Sequence, residues 1–502
     1  MKKYLIAITC LSAMMFASCD LDINDDPNSP ASGTITPDLL FPAVQNAIMA
    51  TSCDIMFNYA GFYAQYFDQM PTANQFNDIA NYSITETSDV YREAYRQLYA
   101  RALEDIEQIK AKTTNTADIF AATAMRAFAF QLMVDNTSDT PYTEALKGSS
   151  VPQPKWDDGK TVYLGVLAEL DSAQTAYDKN PELMTLKDMM FDQNMSQWLG
   201  YANALRLRMY FRMFDAGLNE YKDKIVALIN KNEFFKGDAV IDIFNDQADN
   251  RSPFFASYYA LGTSNHCASY PIISYMSLTN DPRIEYCFSP AKISDEYIGQ
   301  IPGAKELSKG WNRGQWDNTN VSAVNYKLFD NSGVSRPAYM FTQANLQFLI
   351  AEAYLRFFND GMAKAKSAYE AAVKSDFEAK GMGAAYDRFI AGNSVSFDKA
   401  SDKLELIYMQ KWAALCYMDN MEAWSEIRRT DVPATTKVAP KLIFDEGASS
   451  GYIAGNMIAP AENGLEAGGL MKRMLYPLQA RNLNKNTPAP KKGSDPVWWD
   501  VD

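Results

Sequence analysis

Apolar residues recur along this chain at helical spacing far more often than at the alternating spacing of strands. Phe341, Ala344, Phe348, Ala351, Leu355 and Phe358 fall at steps of three and four and predict one helix over 341–358. Trp198, Ala202, Leu205, Met209 and Met213 form a second stripe over 198–213, with Arg206, Arg208 and Arg212 placed off it. Segments 89–110, 117–134, 161–177, 222–230, 362–379 and 403–428 are rich in Ala, Leu, Met, Glu and Lys, the better helix formers, and are predicted helical. Strand signals are short and sparse. Between residues 40 and 490 the pattern offers no stretch expected to cross a membrane, so the body is expected to be soluble.

The neighbouring segments 341–358 and 362–379 alternate small and large residues at offsets that let two antiparallel helices approach closely. Ala351 and Tyr354 supply them on the first, Ala365, Tyr369 and Ala372 on the second, with the connection around Gly361. This spacing fits a tetratricopeptide-like pair, against the plainer alternative of an isolated helical hairpin. Segments 89–134, 161–214 and 403–428 would supply further pairs. The predicted fold is therefore mainly α: tetratricopeptide-like helix pairs in a superhelical scaffold, carrying a large irregular, loop-rich ligand face. Residues 39–502 are expected to form a single body, with the scaffold over about 39–230 and 340–430 and the loop-rich regions over about 231–340 and 430–502. The first of those regions is punctuated by Pro253, Pro271, Pro282, Pro290 and Pro302, and holds the run Gly310–Asn318. Long irregular segments inside a compact protein tend to carry function.

The N-terminus changes the compartment. Lys2 and Lys3 precede an apolar run from Leu5 to Phe16, followed by Ala17, Ser18 and Cys19, which is the layout of a secretory signal and too short for a spanning helix. A cysteine at the expected cut points to a bacterial lipoprotein: signal peptide 1–18, acylation of Cys19, and an acidic tether over 19–38. The alternative is ordinary cleavage beside an unmodified cysteine. Asp20, Asp22 and Asn24 are spaced like the start of a calcium loop, but no Gly stands at its sixth place and no Glu at its twelfth, so a solvated tether is the expectation.

The 502 residues include 47 Lys plus Arg against 61 Asp plus Glu, a formal charge of −14. Losing Lys2 and Lys3 with the leader takes it to −16. Such a balance excludes a nucleic-acid binder, which needs a basic face against phosphate. His266 is the one histidine, so zinc pairs, imidazole clusters and most imidazole-based catalysis are ruled out. No metal or cofactor is expected; Asp242, Asp246 and Asp249 are spaced to share a turn but read as a solvated acidic face. Cys53, Cys267, Cys287 and Cys416 contain no CxxC pair, and for Cys267 and Cys287 buried free thiols are expected ahead of a disulfide.

Several strings in fixed order carry a resemblance. They begin with Cys19 and the acidic Asp20–Pro30 segment, then Leu39–Pro42, Arg126–Val134, Asp139–Tyr142 and Tyr163–Asp171. Trp198–Arg212, Asn280–Arg283, Phe348–Leu355, Arg473–Pro477 and Asn482 follow. In this order they resemble the SusD/RagB family, surface nutrient-binding lipoproteins of Bacteroidetes. Gln410–Trp412, Met421–Trp424 and Arg428–Arg429 stand where classical members carry an Arg-Arg/Glu-Leu-Glu-Gly run before a Trp, so the resemblance is to a divergent SusD-like branch and carries no sugar identity with it. It implies a non-catalytic protein anchored to the outer-membrane surface through the lipid on Cys19. It also implies a SusC-like TonB-dependent transporter as partner, into which a glycan or peptide bound at the loops is delivered.

Oligosaccharides lie on flat aromatic faces, with amides, carboxylates and guanidinium groups reaching the hydroxyls at the ring edge. Aromatics make up 13% of the chain, so abundance marks no site. Trp311, Trp316 and Tyr326, interleaved with Asn312, Arg313, Gln315, Asp317, Asn318 and Asn320, are the first ligand-contact candidates; helix capping or transporter contact is the alternative. The second group is Tyr66 and Gln69, with Tyr63, Gln65, Phe67, Asp68, Asn74, Gln75, Asn77 and Asn81, whose partly helical steps favour core packing instead. His266 is expected to be a hydrogen-bonded structural residue among Tyr258, Tyr259 and Tyr270, and Trp498–Trp499 a docking or capping element. The competing functions are a surface glycosidase, whose two carboxylates would stand ~5–5.5 Å or ~6.5–9.5 Å apart, and a scaffold that binds peptides or a partner protein.

Overall fold

The structure is a computed structural model that describes residues 35–248, 250–255, 265–304, 318–325, 333–466 and 468–501. In chain order the first elements are α1 (Pro37–Ala50), a π-helical turn (Thr51–Ile55), α2 (Met56–Tyr63), β1 (Phe67–Gln69) and α3 (Asn77–Ala80). Next come α4 (Arg92–Gln97), a second π turn (Leu98–Leu103), α5 (Glu104–Lys112), α6 (Thr116–Thr137), α7 (Gly159–Lys179), α8 (Met195–Asp215) and α9 (Tyr221–Lys231). The middle holds β2 (Ala239–Ile241), β3 (His266–Ala268), α10 (Tyr270–Leu278), α11 (Arg283–Cys287) and β4 (Ala338–Phe341). The last stretch holds α12 (Gln343–Phe357), α13 (Met362–Ala379), α14 (Tyr386–Ile390), α15 (Lys403–Leu415), α16 (Asn420–Thr430), α17 (Pro440–Glu446) and α18 (Leu478–Leu483). The architecture is mainly α, and the strands form two short antiparallel pairs, β1 with β3 and β2 with β4.

The helix pairs follow the small-and-large pattern. Ala351, Ala365, Tyr369 and Ala372 are fully buried where α12 meets α13, and the Tyr369 hydroxyl donates to the Val395 carbonyl at 2.6 Å. Gly361 is required in the connection, because a Cβ there would stand 2.0 Å from the Tyr354 carbonyl oxygen. Side-chain caps fix several starts: Asn115 on α6, Asp158 on α7, Asn194 on α8, Thr342 on α12 and Asp419 on α16 each accept backbone N–H groups.

The segment 403–428 supplies the expected pair: α15 ends at Leu415, Tyr417 takes a left-handed φ of 61° and Asp419 restarts the chain as α16. Three expectations need correction. The segment 89–110 is not one regular helix but α4, a π turn and α5. Phe341 ends β4 instead of opening α12, whose cap is Thr342. Two helical stretches, Pro37–Tyr63 and Thr116–Thr137, are long and apolar enough to cross a membrane by length and composition; the second is 94% buried within the protein, which accounts for its all-round apolar surface.

The arginines off the 198–213 stripe face neighbouring helices. Arg212 is fully buried and lies 2.6 Å from both Asp135 of α6 and Glu422 of α16. Arg429 of α16 joins Glu352 of α12, Glu426 and Asp215 at 2.6–2.7 Å. The C-terminal Trp499 is sealed into the same region, donating from Nε1 to Asp135 Oδ1 at 2.9 Å. Trp498 packs edge-on against Tyr163 and fills the space that Gly159 leaves open. The pair therefore caps the scaffold, one of the two roles expected for it. One hydrophobic core runs from Leu40 to Trp499, with smaller clusters around Met70 and around Phe444.

Candidate functional site

The loop-rich part of the molecule is organised around the buried pair β1 and β3. Ala268 N–H donates to the Ser322 carbonyl, Gln300 N–H to the Ala268 carbonyl and Ser322 N–H to the Ile298 carbonyl, each at 2.8 Å, so 298–301 and 321–324 extend the two-stranded pair. Gly299 allows this closeness, since a Cβ there would lie 2.5 Å from Tyr270 Cα.

The segment 63–69 is the keel of this arrangement. Gln65 is held at a positive φ of 55°, and its buried amide makes two bonds to Ile458, donating to the carbonyl at 2.6 Å and accepting the N–H at 2.9 Å. Asp68 accepts from Gln69 N–H at 2.7 Å and from Gly303 N–H at 3.0 Å. Burial pushes its carboxyl up to about 7 against the opposing pull of those two N–H groups. Gln69 donates to the Asn265 carbonyl at 2.8 Å, accepts from Phe76 N–H at 2.5 Å, and its own carbonyl accepts from the Gln300 amide at 2.7 Å. Tyr66 is fully buried, stacked on Trp412, with its hydroxyl donating to the Trp412 carbonyl at 2.6 Å.

Tyr66 and Gln69 are thus corrected as ligand contacts. Their polar atoms are spent on the protein's own backbone, and burial leaves no face for a sugar. Their segment instead fixes the loops at 265, 300–303 and 458.

Trp311, Trp316, Tyr326, Asn312, Arg313 and Asp317 lie outside the described residues, as do Tyr258, Tyr259 and Asp249. The ends of that stretch are described, and they meet the second nominated segment. Thr72 N–H donates to Asn318 Oδ1 at 3.2 Å, and Met70, Cys267 and Val321 share a small core. Asn74, Gln75 and Asn77 follow Thr72 on one side and Asn320 follows Asn318 on the other, an amide-rich rim whose members are all at least partly exposed, while Asn81 lies against Gly303 and Gly464.

Beside the rim opens a cleft of about 250 Å³, lined by Tyr270, Ile293, Ile298, Gly299, Ile301, Asn320, Ile443, Phe444 and Gly447. Ile443, Phe444 and Gly447 come from α17 and its end, so the cleft joins the two loop-rich regions. Sequence reasoning missed it; the available signal was Ile293, Ile298 and Ile301 set around Ser294 and Gly299, where no helix stripe explains them.

His266 is buried with Nε2 3.0 Å from Asn58 Oδ1 and its ring against Phe62, Phe67 and Phe76. Desolvation lowers its pKa to about 3, so it is neutral and structural. Its neighbours are these groups of α2 and β1 along with Phe76. Cys53, Cys267, Cys287 and Cys416 are all buried free thiols. Among the described residues no group of three or more His, Cys, Asp or Glu is placed to hold a metal ion.

The sequence matches the family model SusD-like, described as starch-binding and associating with the outer membrane, over residues 27–445. The chain belongs to this SusD-like family. Among solved structures, a chitin-binding SusD homolog from Flavobacterium johnsoniae has a TM-score of 0.72 at 20% identity, covering 93% of this chain and 99% of that one. A SusD homolog from Bacteroides fragilis NCTC 9343 has a TM-score of 0.70 at 20% identity, with 93% and 99% covered. One from Bacteroides uniformis ATCC 8492 has 0.69 at 21% identity, with 92% and 99% covered. At these identities the likeness establishes the fold of the SusD-like chain. No curated protein matches it.

Proposed function

We propose that this SusD-like protein captures oligosaccharides at the loop face without altering them and delivers them to a SusC-like TonB-dependent transporter. An acyl anchor on Cys19, followed by the acidic tether, holds it at the outer-membrane surface. The observation that carries the reading is the meeting of segments 70–77 and 318–325 in one amide-rich rim, beside the stretch that holds Trp311, Trp316 and Tyr326. Amides satisfy hydroxyls in both donor and acceptor roles, and the three rings are the proposed platform for pyranose faces, with Asn312, Arg313 and Asp317 at their edges. Membership in a family described as starch-binding, and the likeness to a chitin-binding homolog, support a saccharide over a peptide.

An oligosaccharide and peptide array on the mature chain tests the ligand, and co-purification of a large β-barrel from detergent-solubilised outer membrane tests the partner. Saccharide capture and a co-purifying barrel are expected. Release of products from bound oligosaccharide, abolished by removing one carboxylate, would replace the binding role with a glycosidase.

A further inference from the structure

The four cysteines of the body fall into two kinds. Cys53 and Cys267 spend their thiols on the backbone: Cys53 donates to the Tyr339 carbonyl at 3.4 Å, and Cys267 stands 3.6 Å from the Asp68 and Gln69 carbonyls. Cys287 and Cys416 are also wholly buried, but the Cys416 thiol lies within side-chain hydrogen-bonding reach of the Cys287 thiol. Contacts on both sides hold the two together. Phe288 packs edge-on against Tyr417 with ring centres 5.7 Å apart. On the other flank Lys380 donates to the Ala414 carbonyl at 2.8 Å and stands 5.8 Å from the centre of the Tyr286 ring. The residues before and after Cys287 are thus matched to residues before and after Cys416. Each cysteine also stands where the chain leaves a helix: Cys287 ends α11 ahead of an extended Phe288, and Cys416 caps α15 at φ −57° and ψ 116°. There the backbone is released from the regular helical ladder and has room to adjust. A buried pair of this kind stays reduced in a reducing compartment and is oxidised in an exporting one.

We propose that Cys287 and Cys416 are joined by a disulfide in the exported protein. The inference rests on the export reading of the N-terminus and adds a covalent tie to it. The step is thiol–disulfide exchange with a protein disulfide oxidoreductase of the export compartment. One cysteine thiolate attacks the donor's disulfide, which forms a mixed disulfide and releases one donor thiolate. The second cysteine then attacks the mixed disulfide, which closes the Cys287–Cys416 bond and releases the other donor thiolate. The chain gives up two electrons and two protons, and the donor, reduced to a dithiol, takes up both. Burial pushes the Cys416 thiol well above its ordinary value and closes off access, so the exchange takes place while the chain folds, and the finished bond is shielded from reductants. Its place in the fold is next to the keel. Cys416 caps the helix that carries Trp412, on which Tyr66 stacks, and the Cys287 carbonyl accepts the Asn325 N–H at 3.0 Å. The bond therefore ties segment 321–325 of the loop region to the scaffold.

The mature chain is isolated from the cell surface, denatured, alkylated without reduction and mapped by mass spectrometry. A linked Cys287–Cys416 peptide is expected, with alkylation at Cys53 and Cys267 alone; reduction first should open all four to alkylation. In parallel, reduced and denatured mature chain is refolded in a mixture of reduced and oxidised glutathione. The same link is expected, and the oxidised product should melt several degrees above the reduced chain, because the bond closes a long loop in the unfolded state. Cys287→Ala with Cys416→Ala is expected to melt at one temperature with or without oxidant. Refolded chain alkylated at both Cys287 and Cys416, or a link from Cys287 to Cys267, would overturn the proposal. Four alkylated thiols in a surface chain acylated on Cys19 would overturn it as well and leave the export reading standing. A chain that keeps its leader would end the export reading, while the refolding arm still decides whether this pair closes.

Discussion

Asp68 holds its proton at pH values where an ordinary aspartate has lost it, because its carboxyl is wholly enclosed and two N–H groups offset only part of that cost. The folded chain therefore binds a proton that the unfolded chain releases above about pH 3.9. The resulting stabilisation is complete below that value and is lost as the pH rises through about 7, with a ceiling of about 4 kcal/mol. His266 has the opposite sign: its folded pKa of about 3 means stability is lost as the pH falls below about 6.5. Asp68→Asn is expected to flatten the change in melting temperature between pH 5 and pH 8, making the variant weaker than the parent at pH 5 and equal or better at pH 8. Parallel curves for the two proteins would show that this carboxyl does not set the slope. Arg212 makes the complementary case. Arg212→Met would leave Asp135 and Glu422 facing each other in the core and is expected to cost about 3–5 kcal/mol in urea unfolding. Arg96→Met, which breaks a surface pair with Glu93, is expected to cost less than about 1 kcal/mol. Tyr66 and Gln69 show where reading residues from sequence stops. An aromatic among amides looks the same whether the amides turn toward a ligand or toward their own backbone, and here they turn inward.

At the scale of elements, stripes over 198–213 and 341–358 were legible because apolar spacing reports the face a helix buries, and 362–379 because its small and large residues match those of its partner. What they do not report is a second buried face made of charge. Arg206, Arg208 and Arg212 look like a solvent side until the carboxylates of other helices are placed against them. Breaks were illegible for a related reason: the π turns and the left-handed Tyr417 come from tertiary fit, with no Pro or Gly to announce them. Gly361 is the exception, a punctuating residue whose need is visible in the fold. Gly361→Val is expected to lower stability by about 1–3 kcal/mol, because its side chain would have to displace the Tyr354 carbonyl from the end of α12. Gly383→Ala is the control, with ordinary backbone and its nearest neighbour 3.6 Å away, and is expected to be neutral or to stabilise by up to about 1 kcal/mol. Thermal unfolding of the two variants side by side separates steric need from a general preference for glycine in turns.

At the scale of the whole molecule, a helical scaffold and a loop face divide the work, and the segment 63–69 joins them. It leaves α2, stacks Tyr66 on Trp412 of α15, and then pins the loops at 265, 300–303 and 458. Residues on the loops can therefore change without disturbing the helices, whereas changes in the keel disturb both. Trp311→Ala with Trp316→Ala is expected to weaken capture of an array-identified oligosaccharide by roughly 30-fold or more, the loss of about 2 kcal/mol that aromatic anchors typically carry, with melting temperature and barrel association unchanged. Gln65→Ala should act differently: it removes both bonds to Ile458, lowering stability and ligand affinity together. Calorimetry with the oligosaccharide, thermal unfolding and detergent co-purification on the same three proteins distinguish the outcomes. Intact capture with lost barrel association in the tryptophan variant would make the loop face the transporter interface. Loss of capture with the barrel retained would leave the scaffold as the surface on which the transporter rests.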